Sequence, residues 1–239
     1  MNVISFSLYG DNPIYTIGAI KNAHLAKHHF PEWTVRIYHD NTVPSNILNE
    51  LRELDNVQLC EMFDTNKGFL RSIWRFIPLF DSEITRFISR DCDSRLSERD
   101  RIAVDEWIAS GKQFHIVRDH PHGHGWVINA GMWGARCISR DPLVDDPYEP
   151  LYEIITSFCN SPQNLQEKTL DQILLRDHIY PRIVNDAFIH DEYFKYENHC
   201  EKIKMDRASN DFAFIGESID ENDVPRGDQR SSIRERYYA

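Results

Sequence analysis

The order of the predicted elements constrains the fold of this chain more than any other feature. Over the first hundred residues, short apolar runs typical of strands alternate with longer segments whose apolar residues recur at helical spacing. Strands are predicted at 3–8, 34–38, 57–62 and 84–89, and helices at 14–30, 43–54, 69–80 and 97–110. Because strands that alternate with helices pair in parallel, we expect an α/β fold with a doubly wound sheet.

The later part of the chain predicts a mixed arrangement. Further strands are expected at 114–117, 127–133 and 187–189, and helices at 149–158 and 170–179. The last fifteen residues, rich in Arg and Asp, are expected to be irregular. The 239 residues fit one large α/β domain or two small ones.

Composition excludes several classes of protein. Lys and Arg number 27 against 38 Asp and Glu, and this net charge of −11 argues against nucleic acid as a partner. The 41% of hydrophobic residues exclude a disordered chain, and neither a membrane-spanning run nor a signal peptide is recognisable. Five scattered cysteines without a CxxC pair suit a reducing compartment, so we expect a cytoplasmic protein.

The segment Asp91-Cys92-Asp93 follows the fourth predicted strand directly. Alternate side chains of an extended chain share a face, so both carboxylates can point at one cation. Hard oxygen ligands suit Mg²⁺ or Mn²⁺, and open α/β sheets bind their ligands at the carboxyl ends of strands. The structural alternative is a pair of solvated turn acids beside Arg90 and Arg95. Placement at a strand end favours the metal site.

A family resemblance enters at this motif. Arg90-Asp91-Cys92-Asp93-Ser94-Arg95 resembles the DxD motif of GT-A glycosyltransferases, which use nucleotide-sugar donors. Other segments are similar, in chain order, to further motifs of these enzymes: Trp74-Arg75-Phe76, Asn129-Ala130-Gly131-Met132-Trp133-Gly134, Leu170-Asp171-Gln172 and His190-Asp191. The whole chain, 86–133 most strongly, resembles a compact glycosyltransferase family of bacteria and large DNA viruses.

The resemblance implies a GT-A fold, the Rossmann-like, doubly wound mixed sheet of nucleotide-diphospho-sugar transferases. One domain, 1–239, would contain a nucleotide-binding half (1–95) that ends in the DxD motif, an acceptor-side half (96–222) and an irregular tail (223–239). It also implies a metal-dependent enzyme that moves a sugar from a nucleoside-diphosphate sugar to a glycan, lipid or protein acceptor. A UDP-sugar is favoured as the donor, and a GDP-sugar is the other candidate.

Roles for single residues follow from the same resemblance. Asp91, Asp93 and His190 would hold Mn²⁺ or Mg²⁺. The donor would be contacted by Tyr9 of the 9–12 turn and by Arg75, Asp91, His120, Asn129, Ala130 and Gly131. The catalytic residues implied are Asp171, Gln172 and Asp191. The Asp-Gln pair favours retention of anomeric configuration, in which no protein base need take the acceptor proton. Inversion would require a general base, with Asp171, Asp191 and His120 as candidates.

Each of these motifs also has a structural explanation. Gln172 stands three residues after Thr169 and fits a capping box, in which it would serve only its own helix. Arg75 can be a surface charge, and His190 a partly buried histidine at a strand end. Gly131 and Gly134 can simply permit a tight exit from a strand. The sequence leaves these readings open.

A group of histidines, His115, His120, His122 and His124, raises the question of a zinc site. No cysteine or second histidine motif completes a ligand set at a known spacing. We favour an acceptor-side loop in which Arg118, Asp119 and His120 contact sugar hydroxyls. The basic C-terminal residues Arg226, Arg230, Arg234 and Arg236, with Tyr237 and Tyr238, suggest peripheral membrane contact, although a solvated tail is the simpler interpretation.

Two other classes of function use the same residues. A metal-dependent nucleotidyltransferase or phosphohydrolase would need the same carboxylates, but no P-loop or nucleophile motif follows the first strand. A non-catalytic carbohydrate-binding domain would keep the acids for structural reasons. Release of nucleoside diphosphate distinguishes the three, because it would be sugar-dependent, sugar-independent or absent.

Overall fold

The computed structural model describes residues 1–63, 68–141, 143–162 and 164–239, and its centre is one eight-stranded mixed sheet. The strands are β1 (Asn2–Leu8), β2 (Trp33–His39), β3 (Val57–Glu61), β4 (Arg86–Ser89), β5 (Phe114–Arg118), β6 (Trp133–Arg136), β7 (Ala187–Asp191) and β8 (Cys200–Glu201). Their order across the sheet is β3-β2-β1-β4-β6-β5-β7-β8. Only β6 runs antiparallel to its neighbours, β4 and β5. The expected α/β class and doubly wound mixed sheet are confirmed.

Helices cover both faces of this sheet. They are α1 (Pro13–His29), α2 (Ser45–Arg52), α3 (Glu98–Ser110), α4 (Leu151–Asn160), α5 (Leu170–Leu174), α6 (Tyr180–Ile183) and α7 (Ser231–Tyr238). The 3₁₀ segments are Gly68–Phe80, Val184–Asp186 and Arg207–Asn210, and a π-helical turn spans Leu175–Ile179. One buried core lies between the sheet and α1–α3, and a second lies under Gly68–Phe80 and α4–α6. Since the sheet is buried on both faces, successive residues of its strands are buried, as positions 3–6 of β1 and all five positions of β5 are.

The strand order places a crevice at the carboxyl ends of β1 and β4, two central strands of the sheet. After β1 the chain builds β2 and β3 on one side, and it then crosses to β4 on the other side of β1. The carboxyl ends of β1 and β4 therefore diverge into connections that leave in opposite directions. Such a switch point is where open α/β sheets bind ligands.

Capping residues define the helices that border this crevice. Asn12 accepts a hydrogen bond from the Ile14 amide, 3.0 Å, with Pro13 as the first helical residue. Ser97 caps α3 by accepting from the Asp100 amide, and Gly111 ends that helix at φ +72°. The start and end expected for this helix are confirmed.

Three expectations are corrected by the structure. The helical pattern at 69–80 is a 3₁₀ segment that contains Pro78, whose nitrogen cannot donate a helical hydrogen bond. The strand expected at 127–133 lies instead at β6, and 127–132 form a buried loop. The tail expected to be irregular carries α7, because Ile233 is buried against Phe212 and Phe214.

Other findings concern chemistry and membranes. All five cysteines lie in the described residues and are free thiols. Within the described ranges, no helix has the length and apolar character needed to cross a membrane.

Candidate active site

A cavity of about 540 Å³ opens at the crevice between β1 and β4. Its walls come from the β1–α1 turn, the segment after β4, one face of Gly68–Phe80 and the start of α5. The lining residues are Ser7, Tyr9, Gly10, Asp11, Asn12, Tyr15, Phe69, Ser72, Arg75, Asp91, Cys92, Asp93, Lys168 and Asp171. Pockets for small organic ligands typically measure about 300–1,000 Å³, so this cavity is large enough for one.

The DxD segment follows β4 as a turn, in which the Ser94 amide and hydroxyl donate to the Asp91 carbonyl at 3.2 and 2.9 Å, and not as the extended chain expected from the sequence. Asp91 and Asp93 reach the cavity, whereas the Cys92 side chain between them is buried in the core beside α1. Gly18 of α1 packs directly on the Cys92 carbonyl, where any side chain would overlap it. Asn22 of α1 binds the next turn through the Ser94 carbonyl, 2.8 Å, and the Leu96 amide, 3.0 Å. Helix α1 thus fixes the position of both carboxylates.

Arg75 lies between two acidic residues at the bottom of the cavity. One guanidinium nitrogen pairs with Asp91, and the other donates to Asp171 at 2.7 Å. Its backbone amide donates to Ser7 Oγ at 3.0 Å, which fastens the 3₁₀ segment to the end of β1. The side chain is only 8% exposed, which rules out the surface-charge reading of Arg75.

Gln172 connects α5 to the loop before β6. Its Oε1 accepts from the Ala130 amide, while the Thr169 hydroxyl donates to Glu167 at 2.7 Å. Thr169 makes no capping hydrogen bond. The capping-box interpretation of Gln172 is therefore wrong, and Gln172 links Asp171 to the Asn129–Gly131 segment.

The segment 129–131 lies against the first carboxylate of the DxD motif. The Ala130 carbonyl accepts from Ser89 Oγ of β4 at 2.7 Å. A side chain on Gly131 would overlap the Asp91 carboxylate, so glycine is what permits this contact. The side-chain amide nitrogen of Asn129, Nδ2, is buried and has no hydrogen-bond partner among the described residues. A buried donor without a partner is costly and is commonly satisfied by a ligand.

Burial and crowding perturb the acids of the cavity. Burial, and then the neighbouring Asp91 carboxylate, raise the pKa of Asp93. Burial also raises the pKa of Asp171, although Arg75 opposes this shift. Burial alone would lower the pKa of Arg75, but Asp91 and Asp171 raise it overall. A cation bound beside Asp93 would oppose both causes of its raised pKa.

The turn after β1 forms the opposite wall. The Arg71 guanidinium stacks over the Tyr9 ring at 4.3 Å and pairs with Asp40 at the end of β2, 2.9 Å. The Gly10 amide donates to Thr42 Oγ1 at 2.7 Å. Burial raises the pKa of Tyr9 to about 12, so its hydroxyl stays protonated at neutral pH. Tyr9 therefore offers this wall a hydroxyl and an aromatic face.

A C-terminal segment that the sequence did not indicate approaches the second DxD carboxylate. Ser218 Oγ donates to Asp93 at 3.1 Å, and the Ile219 amide donates to the Asp93 carbonyl at 2.7 Å. Arg226 lies 3.9 Å from the same carboxylate. These residues are more than 120 positions from Asp93 in the chain, so no local pattern could have revealed them. Lys168 was also missed, although it stands close to the Asp171 motif.

His190 does not reach the DxD carboxylates. Its Nδ1 meets His115 Nε2 at 2.9 Å and its Nε2 meets Glu106 of α3 at 2.7 Å. Both ring nitrogens are thus engaged on the α3 side of the sheet, where β6 and β5 separate β7 from β4. The assignment of His190 as third metal ligand is corrected accordingly.

Asp191 is likewise used for structure. It pairs with Arg118 at 2.8 Å and accepts from the backbone amides of Tyr193, Phe194 and Lys195. Asp191, Glu197 and Cys200 lie close enough to bind a metal ion, but the Arg118 guanidinium already contacts all three. Asp191 is therefore no candidate for the catalytic base.

His120 contacts the C-terminal segment and does not line the cavity. Its Nε2 lies 2.7 Å from the Gln229 carbonyl, and its Nδ1 accepts from the amides of His122 and Gly123. Burial lowers the pKa of His124 to about 4, and its Nδ1 accepts from the Asp119 amide at 3.0 Å. Within the described residues, these histidines form no three-ligand metal group. His120 is not placed to contact a donor in this cavity.

The possible metal ligands at the DxD motif suit a hard divalent cation. Asp91 and Asp93 present carboxylate oxygens to one cavity, and burial together with the neighbouring Asp91 raises the pKa of Asp93. A divalent ion relieves both effects, and oxygen-only ligands suit Mg²⁺ or Mn²⁺.

Comparisons with known proteins give likenesses of structure only. No protein-family model and no curated protein matches the sequence. A structure of residues 1–349 of TarS from S. aureus matches at 12% identity and a TM-score of 0.49, covering 80% of this chain and 58% of that one. The chain therefore spans less than two thirds of the length of that structure.

Two other solved structures are matched over most of their length. A glycosyltransferase involved in glycosylation of the major capsid of PBCV-1 has 16% identity and a TM-score of 0.44, with 88% and 96% of the two chains covered. A 4-diphosphocytidyl-2C-methyl-D-erythritol synthase from Anaerococcus prevotii DSM 20548 has 10% identity and a TM-score of 0.47, with 86% and 92% covered.

Proposed function

We propose that this protein is a metal-dependent glycosyltransferase that takes its sugar from a nucleoside-diphosphate donor. One observation carries the proposal: Arg75, buried at the switch point of the sheet, pairs with both Asp91 of the DxD motif and the buried Asp171, beside the second DxD carboxylate. The motifs that resemble glycosyltransferase motifs, except His190-Asp191, come together here. Tyr9, Arg75, Asp91 and the 129–131 segment contact the donor, for which a UDP-sugar is favoured.

Asp91 and Asp93 are the residues that would hold Mn²⁺ or Mg²⁺. When bound there, the cation would supply positive charge to stabilise a departing nucleoside diphosphate. Arg75 fixes Asp91 and Asp171 relative to each other, so the cation site and the sugar site share one rigid link. The unpartnered Asn129 amide and the Tyr9 hydroxyl are available to orient donor hydroxyls.

Retention of anomeric configuration is the favoured outcome. Arg75 pairs with Asp171 at 2.7 Å and thereby favours the charged form of its carboxyl group. A carboxylate held in place stabilises the positive charge that develops on a sugar ring at the transition state. Gln172, held by the Ala130 amide, would line the same position. The engagement of Asp191 and His120 elsewhere supports a mechanism without a separate protein base. An inverting reaction would have to use Asp171.

Release of nucleoside diphosphate from a panel of UDP- and GDP-sugars with Mn²⁺ tests the proposal. We expect release that depends on the sugar and on the metal. Asp93→Asn should lower that release at least ten-fold, about 1.4 kcal/mol of transition-state stabilisation, because one ligand charge is lost. Asp145→Asn, at an exposed aspartate outside the cavity, is the matched control and should behave as the parent. Parent-like, metal-dependent release by Asp93→Asn would refute the metal site, and sugar-independent release would indicate a phosphohydrolase.

A further inference from the structure

A small cavity of about 220 Å³ lies beside α7 and shares no lining residue with the candidate active site. Its lining residues are Glu192, Tyr193, Lys202, Arg207, Ile233, Arg236 and Tyr237. Those from α7 stand three and four residues apart, so they belong to one face of that helix. The cavity is smaller than the ~300–1,000 Å³ typical of pockets for organic ligands, and it therefore suits a small ion or a single functional group.

The charge of this lining is positive. Lys202, Arg207 and Arg236 are cations, and Glu192 is the one acid among the lining residues. Both oxygens of Glu192 are already engaged, one by Lys202 at 3.2 Å and the other by Arg207 at 3.1 Å. Arg236 stacks over Tyr193 and has no carboxylate partner in the described part of the chain. Composition does not explain this local surplus of positive charge, because the protein as a whole has a net charge of −11.

Arg207 is the buried cation of this group, with a side chain that is only 5% exposed. One of its terminal nitrogens donates to Asp119 at 2.6 Å, but Asp119 is itself paired with Arg99 at 2.8 Å and so does not cancel the charge of Arg207. The other terminal nitrogen, Nη1, is buried and has no hydrogen-bond partner among the described residues. A buried donor of this kind calls for an unseen ion or ligand as its partner.

Tyr193 brings two of the cations together. The guanidinium groups of Arg207 and Arg236 both lie over its ring, 5.4 and 5.7 Å from the ring centroid. Contact with an aromatic ring attracts each guanidinium without neutralising it, so the two like charges still repel each other. An anion that both groups contact relieves this repulsion. Planar guanidinium groups match the oxygen geometry of a phosphate particularly well.

The cavity also joins the two ends of the C-terminal segment. Arg207 lies at the start of this segment and Arg236 in its last helix, whereas Ser218 and Ile219 in its middle donate hydrogen bonds to Asp93. A ligand between Arg207 and Arg236 therefore fastens α7 to the preceding residues and closes the segment into a loop. A ligand here is thus linked to the arrangement of the chain beside the DxD motif.

We propose that this cavity is a binding site for a phosphate dianion, held between the guanidinium groups of Arg207 and Arg236. The proposal goes beyond the glycosyltransferase function and does not depend on it, since no residue of the donor cavity takes part. Inorganic phosphate and the phosphoryl group of a small phosphate monoester offer the same chemistry to this site.

Calorimetric titration with inorganic phosphate and with glycerol phosphate tests the site. Ionic strength is held constant with sodium chloride, because salt screens exposed charges. We expect saturable binding of one phosphate by the parent. Arg236→Gln should weaken it about five-fold, the effect of one ion pair that solvent reaches, and Arg236→Glu should abolish it because the charge is reversed. Arg236 is exposed, so both variants should fold, which circular dichroism checks.

Arg234→Gln is the matched control, because it removes the same charge from the same helix at a residue outside the cavity. Its affinity for phosphate should stay within about two-fold of the parent value. Absence of saturable binding of either probe by the parent overturns the proposal. Equal weakening in Arg234→Gln and Arg236→Gln also overturns it, because the general charge of α7 would then attract the anion. With the site established, tighter binding of glycerol phosphate identifies a monoester as the ligand, and otherwise inorganic phosphate is.

Discussion

At the scale of single residues, the candidate site is built on a buried ion pair. Arg75 and Asp171 are each 8% exposed, would each be unfavourable alone, and are tolerated because they pair, while Asp91 extends the pair toward the open cavity. Asp93 adds a further carboxylate whose pKa is raised by burial and by Asp91. Its nearest guanidinium, that of Arg226, is 3.9 Å away and half-exposed. The raised pKa of Asp93 is the residue-level argument for a bound cation.

Asp171 and Gln172 give the sharpest test of the proposed chemistry. Asp171→Asn keeps the shape of the side chain and removes its charge, and Gln172→Ala removes the hydrogen bond to the Ala130 amide. We expect either change to lower the transfer rate at least ten-fold at saturating donor, about 1.4 kcal/mol for each factor of ten. Steady-state kinetics on variants shown to be folded by circular dichroism provide the measurement.

Thr169→Val serves as the control for that pair. The structure gives Thr169 no capping bond, so this change should leave the transfer rate at the parent value. If Thr169→Val and Gln172→Ala lower the free energy of unfolding equally and neither lowers the transfer rate, Thr169 and Gln172 act as a capping box. Unchanged kinetics in Asp171→Asn would contradict a role at the donor sugar.

Buried histidines predict how stability depends on pH. Burial lowers the pKa of His115 well below 6.5, and burial also lowers that of His190 although Glu106 opposes this. Between the lowered folded values and about 6.5, the unfolded chain binds more protons than the folded one. Stability should therefore fall as the pH falls below about 6.5, by up to about 1.4 kcal/mol per pH unit for each such group.

Urea unfolding at pH 7.5 and 5.5 measures this effect. His115→Phe keeps a ring stacked on Trp107 and removes one titrating group, so its loss of stability on acidification should be smaller than that of the parent. His122→Gln, at an exposed histidine, should lose as much as the parent does. Identical losses in the parent and in His115→Phe would exclude this histidine as a cause.

At the scale of elements, sequence periodicity predicted correctly the elements that pack an apolar face on the sheet. The strands β1 to β4 and helices α1 and α3 are apolar on the faces that meet the sheet, and their predicted bounds agree closely with the structure. The pattern at 69–80 was also apolar at helical spacing, but periodicity could not reveal that this segment is a 3₁₀ helix whose faces line two cavities. Its type follows from tertiary contacts such as the Ser7 bond to the Arg75 amide.

The sequence predicted only those residues of the candidate site that follow a strand directly or stand in a recognisable motif. Asp91 and Asp93 follow a strand directly, and Arg75, Asp171 and Gln172 stand in recognisable motifs. His190 and Asp191 also follow a strand, yet β7 lies three places from β4 in the sheet, and strand order is not written in any local pattern. The contact of Ser218 with Asp93 depends on the same long-range arrangement.

The C-terminal helix gives a prediction for a whole element. Ile233 is 1% exposed and packs with Phe212 and Phe214, while Arg230 pairs with Glu217 and Asp211. Ile233→Ala should lower the free energy of unfolding by about 2–5 kcal/mol if the helix is an integral part of the fold. Glu235→Ala, on the exposed face, should change it by less than about 0.5 kcal/mol. Urea unfolding checks both, and equal stabilities would mean that α7 contributes little.

The same helix bears on the proposed membrane contact of the tail. Arg230 and Arg234 already pair with carboxylates of this chain, and Arg236 stacks over Tyr193. The basic residues that the sequence presents as a free patch are therefore largely neutralised within the structure.

At the scale of the whole molecule, the donor cavity joins parts of the chain that are far apart in sequence. Its walls include the β1–α1 turn, the 3₁₀ segment, the DxD segment and α5, and residues 218–226 pack on Asp93. A ligand that binds there contacts elements from both buried cores of the sheet. Binding to the folded state alone must stabilise the whole domain, by RT ln(1 + [L]/Kd).

A thermal-shift series therefore tests metal and donor together. At a donor concentration one hundred times Kd, we expect about 2.7 kcal/mol of added stability, and a midpoint shift of about 5 °C for a domain of this size. EDTA should abolish the shift, because without the cation the donor diphosphate would face Asp91, Asp93 and Asp171 unscreened. Free nucleoside with Mn²⁺ should give a smaller shift, since it lacks the diphosphate. A shift of equal size with and without EDTA would show that the donor binds without the cation, and Asp91 and Asp93 would then need another role.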